Sequence, residues 1–336
     1  MKRATAHLMV LILFAAGFVW AEDQFFESGS TRIRYTIEGT GEPVILLHGL
    51  ASNFEDNFGS LIKPLAETHQ VIGLDTRGHG KSAKPADPKM YGLEMDNDVI
   101  RLMDHLRIEK AHLVGYSMGA YIAYGVMLAH PERVLSVTLA AGGGIPPAGL
   151  EELQKKVFSS KEFSQNVGQI AKEIRQAVPL LKQFLLPNMP PLTEPQIRLL
   201  NQMVGGRLAD DEVKTVATLV KDLDPNALLT MIGKLGDEDV MAIMALLQGT
   251  SEPNALYSKD EMDTKLSTSS IPILGIAGTN DPSRENLENL QKRLQELKVE
   301  SRLTLALIDK ANHLNTPGRP EFMKAIQDFL KAHPAR

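Results

Sequence analysis

Gly115-Tyr116-Ser117-Met118-Gly119 decides how this chain is read. A short apolar run, Ala111-His112-Leu113-Val114, leads into it. Ala120-Tyr121-Ile122-Ala123-Tyr124-Gly125-Val126-Met127-Leu128 follows. The order is strand, sharp turn, helix, the setting of a G-x-S-x-G elbow. The two glycines have a steric task, because the turn crowds its neighbours and a residue without Cβ packs there without clash. Ser117 is therefore expected at the carboxyl end of a strand and the start of a helix.

Working outward, strand-like and helix-like stretches alternate from about 31 to 143. Thr31 to Ile37 reads as a strand. Pro43 to Leu47 is wholly apolar and ends at His48-Gly49. Val71 to Leu74 ends at Asp75, and Val134 to Ala141 ends at Gly142-Gly143-Gly144. Continuous apolar runs mark strands buried on both faces, as in a parallel sheet. Between them, Met95, Val99, Leu102, Met103 and Leu106 share one helical face. The pattern predicts an α/β fold with a mostly parallel, doubly wound sheet.

Residues 145–266 break the alternation. Three amphipathic stripes appear there: Phe163 to Val178, Val213 to Leu223, and Val240, Ile243, Met244 and Leu247. They predict helices, separated by Pro179, Pro187, Pro190-Pro191, Pro195 and Pro225. Strand character returns at Ile271 to Ala277 and Leu303 to Ile308, and Pro320 to Ala332 reads as a closing amphipathic helix. Residues 22–144 and 267–336 thus form a sheet domain, with 145–266 as an all-helical insert.

The first 21 residues differ from the rest. Lys2 and Arg3 precede an apolar run from Leu8 to Trp20, Ala21 closes it, and Glu22-Asp23 opens a polar segment. This is the pattern of a secretory signal peptide. The run is short of the ~20 residues that span a bilayer, so no stable membrane anchor is expected after processing. The exported chain would be periplasmic or secreted. The formal charge of −5 becomes more negative still without Lys2 and Arg3. A mildly acidic protein without a basic cluster is no partner for nucleic acid. The chain has no cysteine, which excludes thiolate catalysis, disulfides and Cys-ligated metal. No cofactor is expected.

A serine hydroxyl needs a base beside it, and the base needs an orienting partner. His313 follows the last predicted strand by a few residues, at the sheet edge where Ser117 stands. Asp281 follows the preceding strand across Gly278. The other histidines compete less well. His105, His112 and His130 fall within or beside helix and strand patterns, and His69 lies at the opposite edge. His48 and His79 belong to Gly-bearing turns. Asp309 and Asp75 also end strands, but Asp309 lies too near His313 in sequence to reach its ring. The chain order Ser117, Asp281, His313 is that of one known triad arrangement. A developing oxyanion needs two donors. The amide of Met118 is one, and the amide of Leu50, in the loop after His48-Gly49, is the second.

His48-Gly49, Asp75-Thr76-Arg77-Gly78-His79-Gly80-Lys81-Ser82, Gly115 to Gly119, Gly278-Thr279-Asn280-Asp281 and His313 together resemble the α/β-hydrolase superfamily in order and spacing. The resemblance covers nearly all of the chain beyond residue 21 outside the helical insert. It implies that the insert is a cap over the active site and that the Asp75 to Ser82 segment is a structural turn, with Arg77 and His79 outside the chemistry. Dehalogenases and epoxide hydrolases of this fold use an Asp nucleophile, so Ser117 argues against those reactions. Lipases often carry an H-G-G-G loop, where this chain has His48-Gly49-Leu50-Ala51. A proline-releasing peptidase typically has Trp where Met118 stands.

The expectation is an exported, cofactor-independent serine hydrolase acting on a small molecule with a carbonyl group, with carboxylic esters foremost. Acyl transfer and carbon–carbon bond hydrolysis on the same triad remain alternatives. A non-catalytic binding protein on a hydrolase scaffold is the alternative of another class. Oligomeric state is not legible in the sequence.

Overall fold

The apolar runs become the strands of one eight-stranded sheet. The computed structural model describes residues 22–146, 234–251 and 258–335, with Glu194, Pro195, Arg198, Ala209, Asp210, Val213 and Lys214 between them. The strands are β1 (Gln24–Ser28), β2 (Thr31–Glu38), β3 (Glu42–Leu47), β4 (His69–Leu74), β5 (Ala111–Tyr116), β6 (Val134–Ala140), β7 (Ile273–Gly278) and β8 (Leu303–Ile308). They lie in the order β1-β2-β4-β3-β5-β6-β7-β8. The β1–β2 and β2–β4 pairs are antiparallel, and every other pair is parallel. The sheet is mostly parallel, as the continuous apolar runs require.

The described helices are α1 (Phe54–Ala66), α2 (Leu93–His105), α3 (Met118–Ala129), α4 (Asp237–Ser251), α5 (Lys259–Thr268), α6 (Arg284–Glu296) and α7 (Pro320–Ala332). Alternate side chains of a strand face opposite sides of the sheet, and two separate cores result. Val44 and Leu46 of β3 pack with Phe54, Phe58 and Leu61 of α1 and Phe322, Ile326 and Phe329 of α7. Ile45 and Leu47 pack on the other face with Val99 and Leu102 of α2, Val126 of α3 and Leu290 of α6. A sheet clothed on both faces hides its side chains and leaves chemistry to the loops at the strand ends.

Strand β1 is not foreseen by the sequence pattern. Its stretch Gln24-Phe25-Phe26-Glu27-Ser28 is too short to show a period, and pairing with β2 decides its state. The helix expected from the Met95 to Leu106 stripe runs Leu93–His105. Of the three helical stripes, Phe163 to Val178 lies outside the described residues, as does Val213 to Leu223 except for the buried Val213 and the exposed Lys214. The third stripe is α4, which buries Val240, Ala242, Ile243, Ala245 and Leu246, with Met244 and Leu247 half-buried. Helix α5 begins within the span read as insert, yet Leu266 is fully buried in the sheet-domain core. Its Lys265 Nζ donates to the Leu128 carbonyl at the end of α3, 3.0 Å away. Among the described residues no helix is long and apolar enough to cross a membrane.

Candidate active site

Strand β5 ends at Tyr116 and α3 begins at Met118, so Ser117 alone makes the turn between them. Its backbone sits at φ 51°, ψ −116°, a region that costs an L-residue energy and persists only when the surroundings over-determine it. The surroundings are explicit. Ser117 N–H donates to the Ala140 carbonyl of β6 at 2.8 Å, and its carbonyl accepts from Ala120 N–H at 2.9 Å. A Cβ on Gly115 would overlap the Gly119 carbonyl, and a Cβ on Gly119 would overlap the Leu47 carbonyl. The two glycines are therefore fixed by close backbone approach and not by unusual dihedrals.

Two more strand-end loops deliver partners to Ser117. His313 Nε2 lies 2.9 Å from Ser117 Oγ. His313 Nδ1 lies 3.2 and 3.3 Å from the two carboxylate oxygens of Asp281. An ionised carboxylate only accepts, so Nδ1–H donates to Asp281 and Nε2 is left as acceptor for the serine proton. Burial of Asp281 works to raise its pKa. The hydrogen bonds and charge of His313, with those from the Ser283 amide and hydroxyl, outweigh it and hold the carboxyl below its ordinary value. The His313 loop is itself braced. Asn312 Oδ1 accepts from the Leu314 and Asn315 amides at 3.1 and 3.0 Å, while Asn315 Oδ1 accepts from the Asn312 amide at 2.8 Å. Tyr116 O–H donates to the His313 carbonyl.

The loop after β3 lies against the serine. A Cβ on Gly49 would stand 3.2 Å from Ser117 Cβ and 3.1 Å from the Tyr116 ring. Gly49 N–H is taken by Asn57 Oδ1 at 2.8 Å. Its carbonyl accepts from His48 Nδ1–H at 2.7 Å, and His48 Nε2 accepts from the Thr76 amide at 3.0 Å. Because the peptide is planar and trans, fixing the Gly49 carbonyl also fixes the opposite direction of the Leu50 N–H. Met118 opens α3, and a first-turn amide has no carbonyl one turn earlier to bond. The Met118 amide thus adjoins the serine at a helix start, and the Leu50 amide follows a Gly49 carbonyl held by His48.

His48 and His79 are buried, with ring centroids 5.2 Å apart. Burial lowers their pKa values to about 4 and about 3, respectively. Arg77 is fully buried, with Nε and Nη2 on the Asp98 carboxylate at 2.6 and 2.5 Å and Nη1 on the Met90 carbonyl at 2.6 Å. Asp75 accepts from Arg34 and from the Lys81 amide. Every polar group of this segment that pairs does so within the scaffold, and its side chains brace the loops of the site.

The structure therefore brings Ser117, His313 and Asp281 together from three distant parts of the chain, with Met118 next to Ser117 in sequence and Gly49, the residue before Leu50, against the serine. Asp309, passed over on spacing, is exposed. Sequence reasoning missed Ser283, Asn312, Asn315 and the bracing role of His48. The first three act through hydrogen bonds set by loop shape, for which neighbouring residue types give no signal. His48 was legible only as a turn residue. Among the described residues no three His, Asp or Glu side chains gather as metal ligands.

Comparison with known proteins agrees with this architecture. A relative is the dihydrolipoyllysine-residue acetyltransferase component of an acetoin cleaving system from Cupriavidus necator. It is 38% identical over 129 residues, 37% of this chain and 33% of that protein. Another is a 2-hydroxy-6-oxo-6-(2'-aminophenyl)hexa-2,4-dienoic acid hydrolase from Metapseudomonas resinovorans. It is 33% identical over 129 residues, 37% of this chain and 43% of that one. The chain thus spans less than half the length of these relatives. Among solved structures, an α/β hydrolase from a Medee basin deep-sea metagenome library superposes with a TM-score of 0.62 at 17% identity, covering 93% of this chain and 98% of that one. The α/β hydrolase fold family model matches residues 42–300. On that match, and on the sheet order and elbow described above, the chain belongs to the α/β-hydrolase fold family.

Proposed function

We propose that this protein is an exported serine hydrolase whose foremost substrates are carboxylic esters. The observation that carries the reading is the unbroken line of hydrogen bonds from Ser117 Oγ through the His313 ring to the Asp281 carboxylate. Ser117 Oγ attacks the carbonyl carbon as His313 Nε2 takes its proton. Asp281 holds the ring in the required tautomer and balances the imidazolium charge. The amides of Leu50 and Met118 donate to the oxyanion. His313 then returns the proton to the leaving alcohol, and water, activated by the same imidazole, releases the acyl group. Nothing in this sequence calls on a cofactor.

The acetyltransferase component and the dienoic acid hydrolase among the relatives favour a second reading on the same triad, acyl transfer or carbon–carbon bond hydrolysis. A binding protein on this scaffold would have no need of a complete triad. The test is hydrolysis of a p-nitrophenyl ester series of short to medium acyl chains. The parent turns over and Ser117→Ala loses turnover by at least about a thousandfold. A folded parent without activity on esters, lactones, amides or β-diketones would return the binding reading. Export is tested by N-terminal sequencing of the cell-envelope or medium fraction, where processing predicts a start near Glu22 and an intact Met1 contradicts it.

A further inference from the structure

Four residues beyond Ser117, in the first turn of α3, Tyr121 presents a ring that is 44% exposed. A tyrosine this open usually carries a hydroxyl in water, but this one is pinned. Asn286 Nδ2 donates to the Tyr121 hydroxyl oxygen at 2.6 Å. Asn286 is itself 3% exposed and sits in the first turn of α6, directly after the Asp281 loop. Its carbonyl accepts from the Ile145 amide at 3.2 Å, and Asn289 Nδ2 reaches the Ile145 carbonyl at 3.2 Å. Gly144, at φ 73°, passes so close that a Cβ there would stand 2.7 Å from the Asn286 carbonyl. The chain leaving β6, the start of α6 and the Tyr121 phenol are thus locked as one wall beside the serine.

A phenol oxygen that accepts from Asn286 keeps its own O–H to give. Among the described residues no acceptor takes it. Burial raises the Tyr121 pKa, partly offset by the Asn286 hydrogen bond, and the nearby Asp281 carboxylate raises it further. The phenol therefore stays protonated at neutral pH. The same carboxylate makes this position unfavourable for a second anion, so an uncharged oxygen is the fitting partner. Tyr121 closes the first turn of α3, so its Cα stands ~6 Å along the helix axis from that of Ser117.

The geometry points to Tyr121 as a substrate-positioning residue that donates a hydrogen bond to an uncharged oxygen, a ketone or ether, in the acyl part of the substrate whose carbonyl Ser117 attacks. This inference rests on the serine hydrolase reading and narrows its substrate class. A preset donor left unpaired by a plain alkyl chain discriminates against that chain. Asn286 contributes by holding the phenol and touches no substrate.

The experiment compares three ethyl esters by acid release: a δ-keto ester, the ester of the same chain without the ketone, and monoethyl glutarate. The parent prefers the keto ester over the plain ester by about tenfold in kcat/KM. Tyr121→Phe abolishes that preference, chiefly through KM, while its rate on the plain ester stays within about twofold of the parent. Asn286→Ala weakens the preference with the plain-ester rate retained. The retained plain-ester rate shows that each variant is folded. Equal preference in parent and Tyr121→Phe overturns the inference, as does a parent that favours monoethyl glutarate. A parent that cleaves none of the three and resists fluorophosphonate overturns the hydrolase reading together with it. Cleavage of both the keto and the plain ester, with the same ratio in the parent and in Tyr121→Phe, overturns this inference alone.

Discussion

His48→Phe isolates the link between a buried ring and the proposed oxyanion donor. The imidazole is fully buried, gives Nδ1–H to the Gly49 carbonyl at 2.7 Å and accepts the Thr76 amide at 3.0 Å. Phenylalanine fills the same space but offers neither interaction. Two buried backbone groups lose their partners, at about 1–3 kcal/mol each, so the fold loses about 2–6 kcal/mol. The Gly49–Leu50 peptide is then free to rotate, and one of two oxyanion donors is misplaced. Loss of a single such donor costs about 10²–10³ in kcat. His48→Asn returns an N–H donor near the Nδ1 position and recovers part of the rate. The assay is steady-state ester hydrolysis beside thermal unfolding followed by near-ultraviolet circular dichroism. A folded His48→Phe with kcat within about threefold of the parent refutes the claim that His48 sets the Leu50 amide.

Gly119→Ala drives a Cβ into the Leu47 carbonyl, where backbone on both sides cannot yield, and lowers stability by at least about 1–3 kcal/mol. Gly59→Ala, in α1 with nothing within 4 Å of the added Cβ, raises it by about 0.5–1 kcal/mol; paired denaturant titrations check both signs. Asp281→Asn leaves the His313 ring without its anion and lowers kcat by about 10⁴ with KM little changed, read from ester kinetics. His48 and His79 have folded pKa values depressed to about 4 and about 3 from the ordinary 6.5, so the unfolded chain takes up protons first. Their contribution is whole above pH 6.5 and is lost as pH falls toward those values, about 2–3 kcal/mol each by pH 4.5. Melting curves from pH 7.5 to 4.5 should show that decline, and His48→Phe should flatten it.

The fold was legible because strands clothed on both faces announce themselves as unbroken apolar runs, as Pro43 to Leu47 and Ile271 to Ala277 do. The elbow was legible because steric crowding leaves glycine alone at 115 and 119. His313 and Asp281 were found by position, since both follow strands that end at the edge where Ser117 stands. Strand β1 escaped because five residues with adjacent phenylalanines have no period, and its state follows from pairing with β2. Ser283, Asn312 and Asn315 escaped because side chain to backbone bonds depend on loop shape. The Tyr121–Asn286 contact joins residues 165 positions apart, and only the completed fold brings them together.

The central claim is that the hydroxyl at 117 is the group that bonds covalently to substrate. Treatment of the purified chain with a fluorophosphonate, followed by intact mass and peptide mapping, measures this directly. The account predicts one adduct per chain, on Ser117, absent in Ser117→Ala and strongly slowed in His313→Ala. A folded chain that takes up no adduct, or one whose adduct persists in Ser117→Ala, would contradict it.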